Sequence, residues 1–297
     1  MKKIAIVVLS LFVVMGFSGC ILAGKDKNQI VVGGKNFTEQ DILVYMMQYM
    51  IEDHTKLKVK TKPFLGGTSV VSQAMERGDI DIYPEYTGTA LINILEEPAI
   101  IDPQVAYDKV KQIYKAKKKI IWLEPFGFNN TYTLTMRIDE AERLKINTIS
   151  DLSSQAGSLT LGATHEFLER QDGEKGLEEK YGFNFAATNG MEPGLTYAAV
   201  NDKKVNVIDG FSTDGRIAAF NLKILEDDKK FFPPYYAAPI IRADVLERHP
   251  EIADALKLLA GRIDDKEMAK LNGKVDLEKQ DAKTVAKEWL QSKGLIK

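Results

Sequence analysis

Aromatic rings beside turn-forming residues recur at four points of this chain, and they are the side chains best placed to do chemistry. Tyr83-Pro84-Glu85-Tyr86-Thr87-Gly88-Thr89 follows a short apolar run. Phe128-Asn129-Asn130-Thr131-Tyr132 lies in a segment rich in asparagine. Phe211-Ser212-Thr213-Asp214-Gly215 follows a second apolar run, and Pro233-Pro234-Tyr235-Tyr236 is broken by prolines. Each motif sets a ring at a strand end or a hinge, where a core residue is less expected. Aromatic faces carry negative potential, so rings facing one point hold a desolvated quaternary ammonium, each contributing up to about 2 kcal/mol. A methylated cation has no donor, so hydrogen bonding offers no substitute. Taken singly, each ring is as readily a packing residue.

Catalytic machinery is not legible. His54, His165 and His249 are the only histidines, and none has a second histidine at metal-ligand spacing. His54 and His249 sit in polar stretches, and His165 follows a strand end as a surface residue at the edge of a cleft. There is no Gly-x-Ser-x-Gly elbow and no catalytic cysteine. Gly66-Gly67-Thr68 could cradle an anion at a helix start, but no Lys-Ser/Thr pair follows it as a nucleotide loop requires. Glu85 and Glu124 are an acid–base pair only by coincidence of type. The residues favour a binding protein without metal or cofactor over an enzyme.

The formal net charge of -2 excludes a basic field for nucleic acid. The one basic run, Lys115 to Lys119 with Ala116 inside it, reads as a solvated helix end. Lys2 and Lys3 precede an apolar stretch from Ile4 to Phe17, then Ser18, Gly19 and Cys20. The stretch is short for a membrane span of about 20 residues and has the charge and small-residue ending of a signal peptide. Cys20 is the sole cysteine, which excludes an internal disulfide. Its setting resembles a bacterial lipobox, with Phe17 where leucine is usual. That resemblance implies a signal peptide over 1–19, lipidation of Cys20 and a tether over 20–29.

Elements that could position the rings alternate along the rest of the chain. Strands are expected at Ile30–Gly33, Leu57–Pro63 and Ile80–Tyr83, separated by helices after Thr38 and Thr68. Thr38 reads as a helix cap with Asp41 three residues on. The pattern repeats after about residue 133, with strands at Leu159–Gly162 and Val205–Ile208, a helix carrying Leu195, Ala198 and Ala199, and a helix over Thr213–Phe220. Alternating strands and helices predict α/β lobes with parallel sheets. Pro233 and Pro234 exclude a central strand and mark a crossing between lobes. Two crossings divide the chain into one lobe of residues 30–132 plus 236–297 and another of 133–235. Ligands of such sheets bind at the carboxyl ends of strands, here in the cleft between lobes.

Together with Gly34-Lys35-Asn36-Phe37-Thr38-Glu39, Gly78-Asp79-Ile80-Asp81, Phe126-Gly127 and Ser212-Thr213-Asp214-Gly215-Arg216, these motifs resemble the glycine betaine/carnitine/choline-binding proteins of osmoprotectant ABC importers. The resemblance covers the chain beyond the leader. It implies a type II periplasmic-binding-protein fold and an extracytoplasmic, lipid-anchored, monomeric protein that serves an ABC permease. It further implies a cage in which Tyr86, Tyr132 and Tyr235 fall on three of four tyrosine positions and Phe211 replaces the fourth. Lys35, Thr89 and Arg170 match residues that grip a carboxylate, and Asn130 adds a polar contact beside the cage. Lys35 and Thr38 lie near a helix start that favours an anion. The expected ligand is glycine betaine, proline betaine or carnitine. Choline or ergothioneine is the alternative within binding proteins, and a cell-surface enzyme or adhesin is the alternative outside them.

Overall fold

A computed structural model describes residues 28–297. The leader and Cys20 lie outside the described residues. Ten strands are described: β1 (Gln29–Gly33), β2 (Lys58–Lys62), β3 (Ile82–Tyr86), β4 (Ile120–Trp122), β5 (Tyr132–Arg137), β6 (Thr160–Thr164), β7 (Ala187–Met191), β8 (Val207–Phe211), β9 (Leu222–Ile224) and β10 (Ala237–Arg242). They form two five-stranded sheets, in the orders β2-β1-β3-β10-β4 and β7-β6-β8-β5-β9.

Both sheets follow the same plan. β1 pairs in parallel with β2 and β3, and β6 with β7 and β8. The fourth strand of each sheet is antiparallel to both neighbours: β10 to β3 and β4, β5 to β8 and β9. The sheets are therefore mixed, where alternation alone predicts parallel ones. The reason is topological. β5 is the strand laid down as the chain enters the second sheet, and β10 the one laid down on its return.

Composition sorts strands within a sheet. The Ile30-Val31-Val32 run is buried, and β1 lies inside the sheet between β2 and β3. β2 reads Lys-Val-Lys-Thr-Lys and forms the edge, where lysines discourage further strand pairing. Tyr83 to Tyr86 belong to β3 itself, as its fully buried end, rather than to a turn after it. Pro84 fits because it faces Pro239 of β10. The two carbonyls turn away from each other, Pro84 O accepting Gln40 Nε2 and Pro239 O accepting the Leu123 N–H.

Helix Thr38–His54 buries Ile42, Met46 and Met50, with Leu43 and Met47 beside them. The C-terminal helices Asp265–Asp276 and Ala282–Ser292 pack on it. Thr38 does not cap it. Phe37 holds the cap position, and the Thr38 hydroxyl donates to Asp276 Oδ1 at 2.6 Å. In the second lobe, the helix expected over Thr213–Phe220 is confined to Arg216–Ala219. Leu195 is exposed at the start of helix Leu195–Asn201, which buries Tyr197 and Val200 instead.

The two segments joining the sheets run side by side. Asn130 N–H donates to Tyr235 O at 3.1 Å, and Tyr235 N–H to Asn129 Oδ1 at 2.7 Å.

Candidate ligand site

A cavity of about 350 Å³ opens between the sheets. Lys35, Tyr86, Thr89, Asn130, Tyr132, Arg170, Phe211 and Tyr235 all line it. Their placement follows from topology. Lys35 comes just after β1, Tyr86 ends β3, and Thr89 is in the turn of helix beyond. Arg170 follows β6 through the short helix His165–Glu169, and Phe211 ends β8. Asn130 and Tyr235 lie on the two connecting segments, and Tyr132 opens β5. The parallel strands thus deliver their carboxyl ends to one place.

The rings are neighbours. Tyr132 lies 5.0 Å from Phe211 and 5.7 Å from Tyr235 between centroids, the second pair edge to face. Phe37 joins Tyr86 to this group. It is 6.2 Å from Tyr86 and stacks on Phe211 at 5.7 Å. Sequence reasoning missed Phe37 as a site ring. Its signal was its position between Lys35 and a helix start, where an aromatic side chain has no helix face to cover.

Hydroxyl groups orient the tyrosines. Tyr86 Oη donates to Glu39 Oε1 at 2.7 Å and Tyr235 Oη to Asp172 Oδ2 at 2.5 Å. Burial pushes the pKa of Tyr86, Tyr132 and Tyr235 well above the ordinary phenol value. All three stay neutral at physiological pH and present intact ring faces.

Glu39 is the second residue that sequence reasoning missed. Its carboxyl is buried and accepts four bonds, from Tyr86, Asn130 (2.8 Å), Thr213 (2.6 Å) and Asn272 (3.1 Å). Thr213 comes from the second lobe, so this one group ties both lobes to the connecting segment. Burial raises its pKa, against the four bonds that lower it. Because Asn130 Nδ2 is committed to Glu39, its Oδ1 faces away and has no hydrogen-bond partner.

The cations of the site are already paired. Lys35 Nζ donates to Glu85 Oε1 at 2.6 Å and lies 5.3 Å from the Tyr86 ring centroid. Glu85 therefore serves Lys35 and not Glu124. Arg170 grips Asp172 with two bonds, Nε to Oδ1 at 2.8 Å and Nη2 to Oδ2 at 2.6 Å, and reaches Glu166 Oε1 at 3.1 Å. Its guanidinium lies 5.1 Å from the Tyr132 ring centroid. Each cation thus covers a ring and neutralises a carboxylate of the protein. His165 is exposed at the cavity edge. His54 Nε2 is 2.7 Å from Leu295 O, remote from the cavity. Among the described residues no group of carboxylates, histidines and cysteines could hold a metal ion.

The family described as the substrate-binding domain of ABC-type glycine betaine transport systems, OpuAC, matches residues 28–292. The carnitine transport binding protein OpuCC of Listeria monocytogenes is 39% identical over 272 residues, covering 91% of this chain and 88% of its own. The ergothioneine transport permease/ergothioneine binding protein EgtU of Helicobacter pylori is 36% identical over 270 residues, 91% of this chain and 48% of that one. A solved structure of a glycine betaine/carnitine/choline ABC transporter superposes with a TM-score of 0.75 at 34% identity, covering 90% of this chain and 99% of that one. The relatives are transport binding proteins, and this chain belongs to the OpuAC family of substrate-binding domains of ABC-type glycine betaine transport systems.

Proposed function

We propose that this protein captures a zwitterionic quaternary ammonium osmolyte, namely glycine betaine, proline betaine or carnitine, and delivers it to an ABC permease. One observation carries the reading: rings from β3, β5, β8 and the returning segment meet at one cavity with Lys35, Thr89 and Arg170. Tyr86, Tyr132, Phe211 and Tyr235 face the methylated cation. Thr89, Lys35 and Arg170 face the carboxylate, and Asn130 offers its unpaired Oδ1 beside the cage. The cavity lies at the small end of ligand pockets, about 300–1,000 Å³. Relatives named for carnitine and ergothioneine, both trimethylated betaines, support the class. The protein binds without transforming its ligand and acts as a monomer.

The lobes are residues 30–132 with 236–297, and 133–235, closing on the ligand about the paired connecting segments. No described helix is long and apolar enough to cross a membrane. Attachment to the outer face of the cell membrane is through lipidated Cys20. The test is a thermal-shift panel of glycine betaine, proline betaine and carnitine, with choline and ergothioneine beside them. A ligand at a thousandfold its Kd stabilises by about 4 kcal/mol. If none of the first three raises the Tm, the proposal fails.

A further inference from the structure

Glu166 belongs to the second lobe, in the first turn after β6, yet its carboxylate crosses the cavity. It ends at the start of helix Thr68–Glu76 in the first lobe. Oε1 accepts the Thr68 hydroxyl at 2.6 Å and Arg170 Nη1 at 3.1 Å, while Oε2 accepts the Thr68 N–H at 3.1 Å. The approach depends on Gly67, where a Cβ would lie 2.9 Å from Glu166 Oε2. An anion meeting a free N–H at a helix start is favoured by the helix dipole. Desolvation opposes ionisation of Glu166, but Lys35, Arg170 and the Thr68 bonds outweigh it and hold the carboxyl below its ordinary range.

The groups that keep Glu166 ionised include two of those expected to receive the ligand's carboxylate. From this shared locus we propose that Glu166 is a built-in competitor for the anionic end of the ligand and so a specificity-determining residue. A carboxylated ligand must displace Glu166 from Thr68 and share Arg170 with it, and two carboxylates at one locus repel. A cation without a carboxylate leaves Glu166 in place. The side chain is 30% exposed, so it has solvent to turn into when displaced. The inference rests on the quaternary ammonium reading of the cage.

The test is calorimetric titration of glycine betaine and of choline against wild type, Glu166→Gln and Glu166→Ala, read on whichever variants unfold cooperatively. Loss of the bond between lobes weakens both ligands alike, so the ratio of the two Kd values isolates the competition. The ratio should shift about tenfold toward glycine betaine. An unchanged ratio, or a shift toward choline, overturns the role of Glu166 while leaving the cage intact. If wild type binds neither, carnitine replaces glycine betaine as the carboxylated ligand, and if it binds none of glycine betaine, proline betaine, carnitine and choline, the quaternary ammonium reading fails and this inference falls with it.

Discussion

Phe37 and Phe211 lie face to face, with ring centroids 5.7 Å apart and planes within 1° of parallel. Phe37 precedes the first long helix of one lobe, and Phe211 ends β8 of the other. The stack joins the two lobes, so under the proposed closure it would stabilise the closed state. Phe37→Ala should cost about 0.5–1.5 kcal/mol of closed-state stability beyond lost area. Ligand affinity should fall several-fold, and scattering should give a larger radius of gyration at sub-saturating ligand. An unchanged affinity would remove this stack from the closure mechanism.

Tyr86 separates the ring from its hydroxyl. Tyr86→Phe keeps the aromatic face and loses the bond to Glu39 and the bond from Gln40 (3.1 Å). Stability should drop by about 1–2 kcal/mol with little change in ligand affinity. Tyr86→Ala removes the face, and affinity for glycine betaine and choline should fall alike, by about 1–2 kcal/mol. Calorimetry alongside urea unfolding reads both quantities. Equal affinity loss in the two variants would contradict the cation–π role.

Arg170 is a structural residue as well as a proposed ligand contact. Its partner Asp172 is buried and also accepts the Tyr235 hydroxyl. Arg170→Ala strands that carboxylate, and breaking a buried pair costs about 3–5 kcal/mol. Urea unfolding of the ligand-free variant should show a loss of that order. A loss below about 1 kcal/mol would mean that the pair does not organise this wall of the cavity.

Asp209 gives the protein a pH dependence. It sits buried on β8, bonded to Thr164 N–H (2.9 Å) and Oγ1 (2.6 Å), and burial raises its pKa to about 7. Unfolded, it ionises near 4. Between these values the native state holds more protons than the unfolded one, so stability falls as pH rises through the window, by at most about 1.4 kcal/mol per pH unit. Above about pH 7 the contribution is flat. Asp209→Asn should flatten Tm against pH between 4 and 7, and identical slopes in wild type and variant would refute the assignment.

Cys20→Ser tests the anchor. The variant should appear in the soluble fraction or the medium, whereas wild type needs detergent for release. Retention of the variant with membranes would exclude lipidation as the tether.

Residue type and spacing carried much of this architecture to the surface of the sequence. The Ile-Val-Val run of β1 had to be buried, a strand was expected at Leu57–Pro63, and Pro233-Pro234 could not join a ladder. The aromatic motifs held six of the eight residues that share one cavity, and the family resemblance supplied the other two, Lys35 and Arg170. Errors fell where local rules compete with tertiary ones. Pro84 argued for a turn, but a strand accommodates it because Pro239 lies opposite and Gln40 takes its carbonyl. Thr38 had the chemistry of a cap, but Asp276, far along the chain, claimed its hydroxyl.

By itself, then, the sequence determined which side chains were suited to a methylated cation, because ring faces and strand-end placement are local properties. Only the tertiary structure decided how their charges are spent. The pairing of Lys35 with Glu85, of Arg170 with Asp172 and Glu166, and of Glu39 with four donors joins residues 2 to 233 positions apart. Local spacing brings Arg170 within reach of Asp172 and Glu166, but no local pattern encodes the Lys35–Glu85 pair or the Glu39 cluster, which follow from which strand ends the fold brings together.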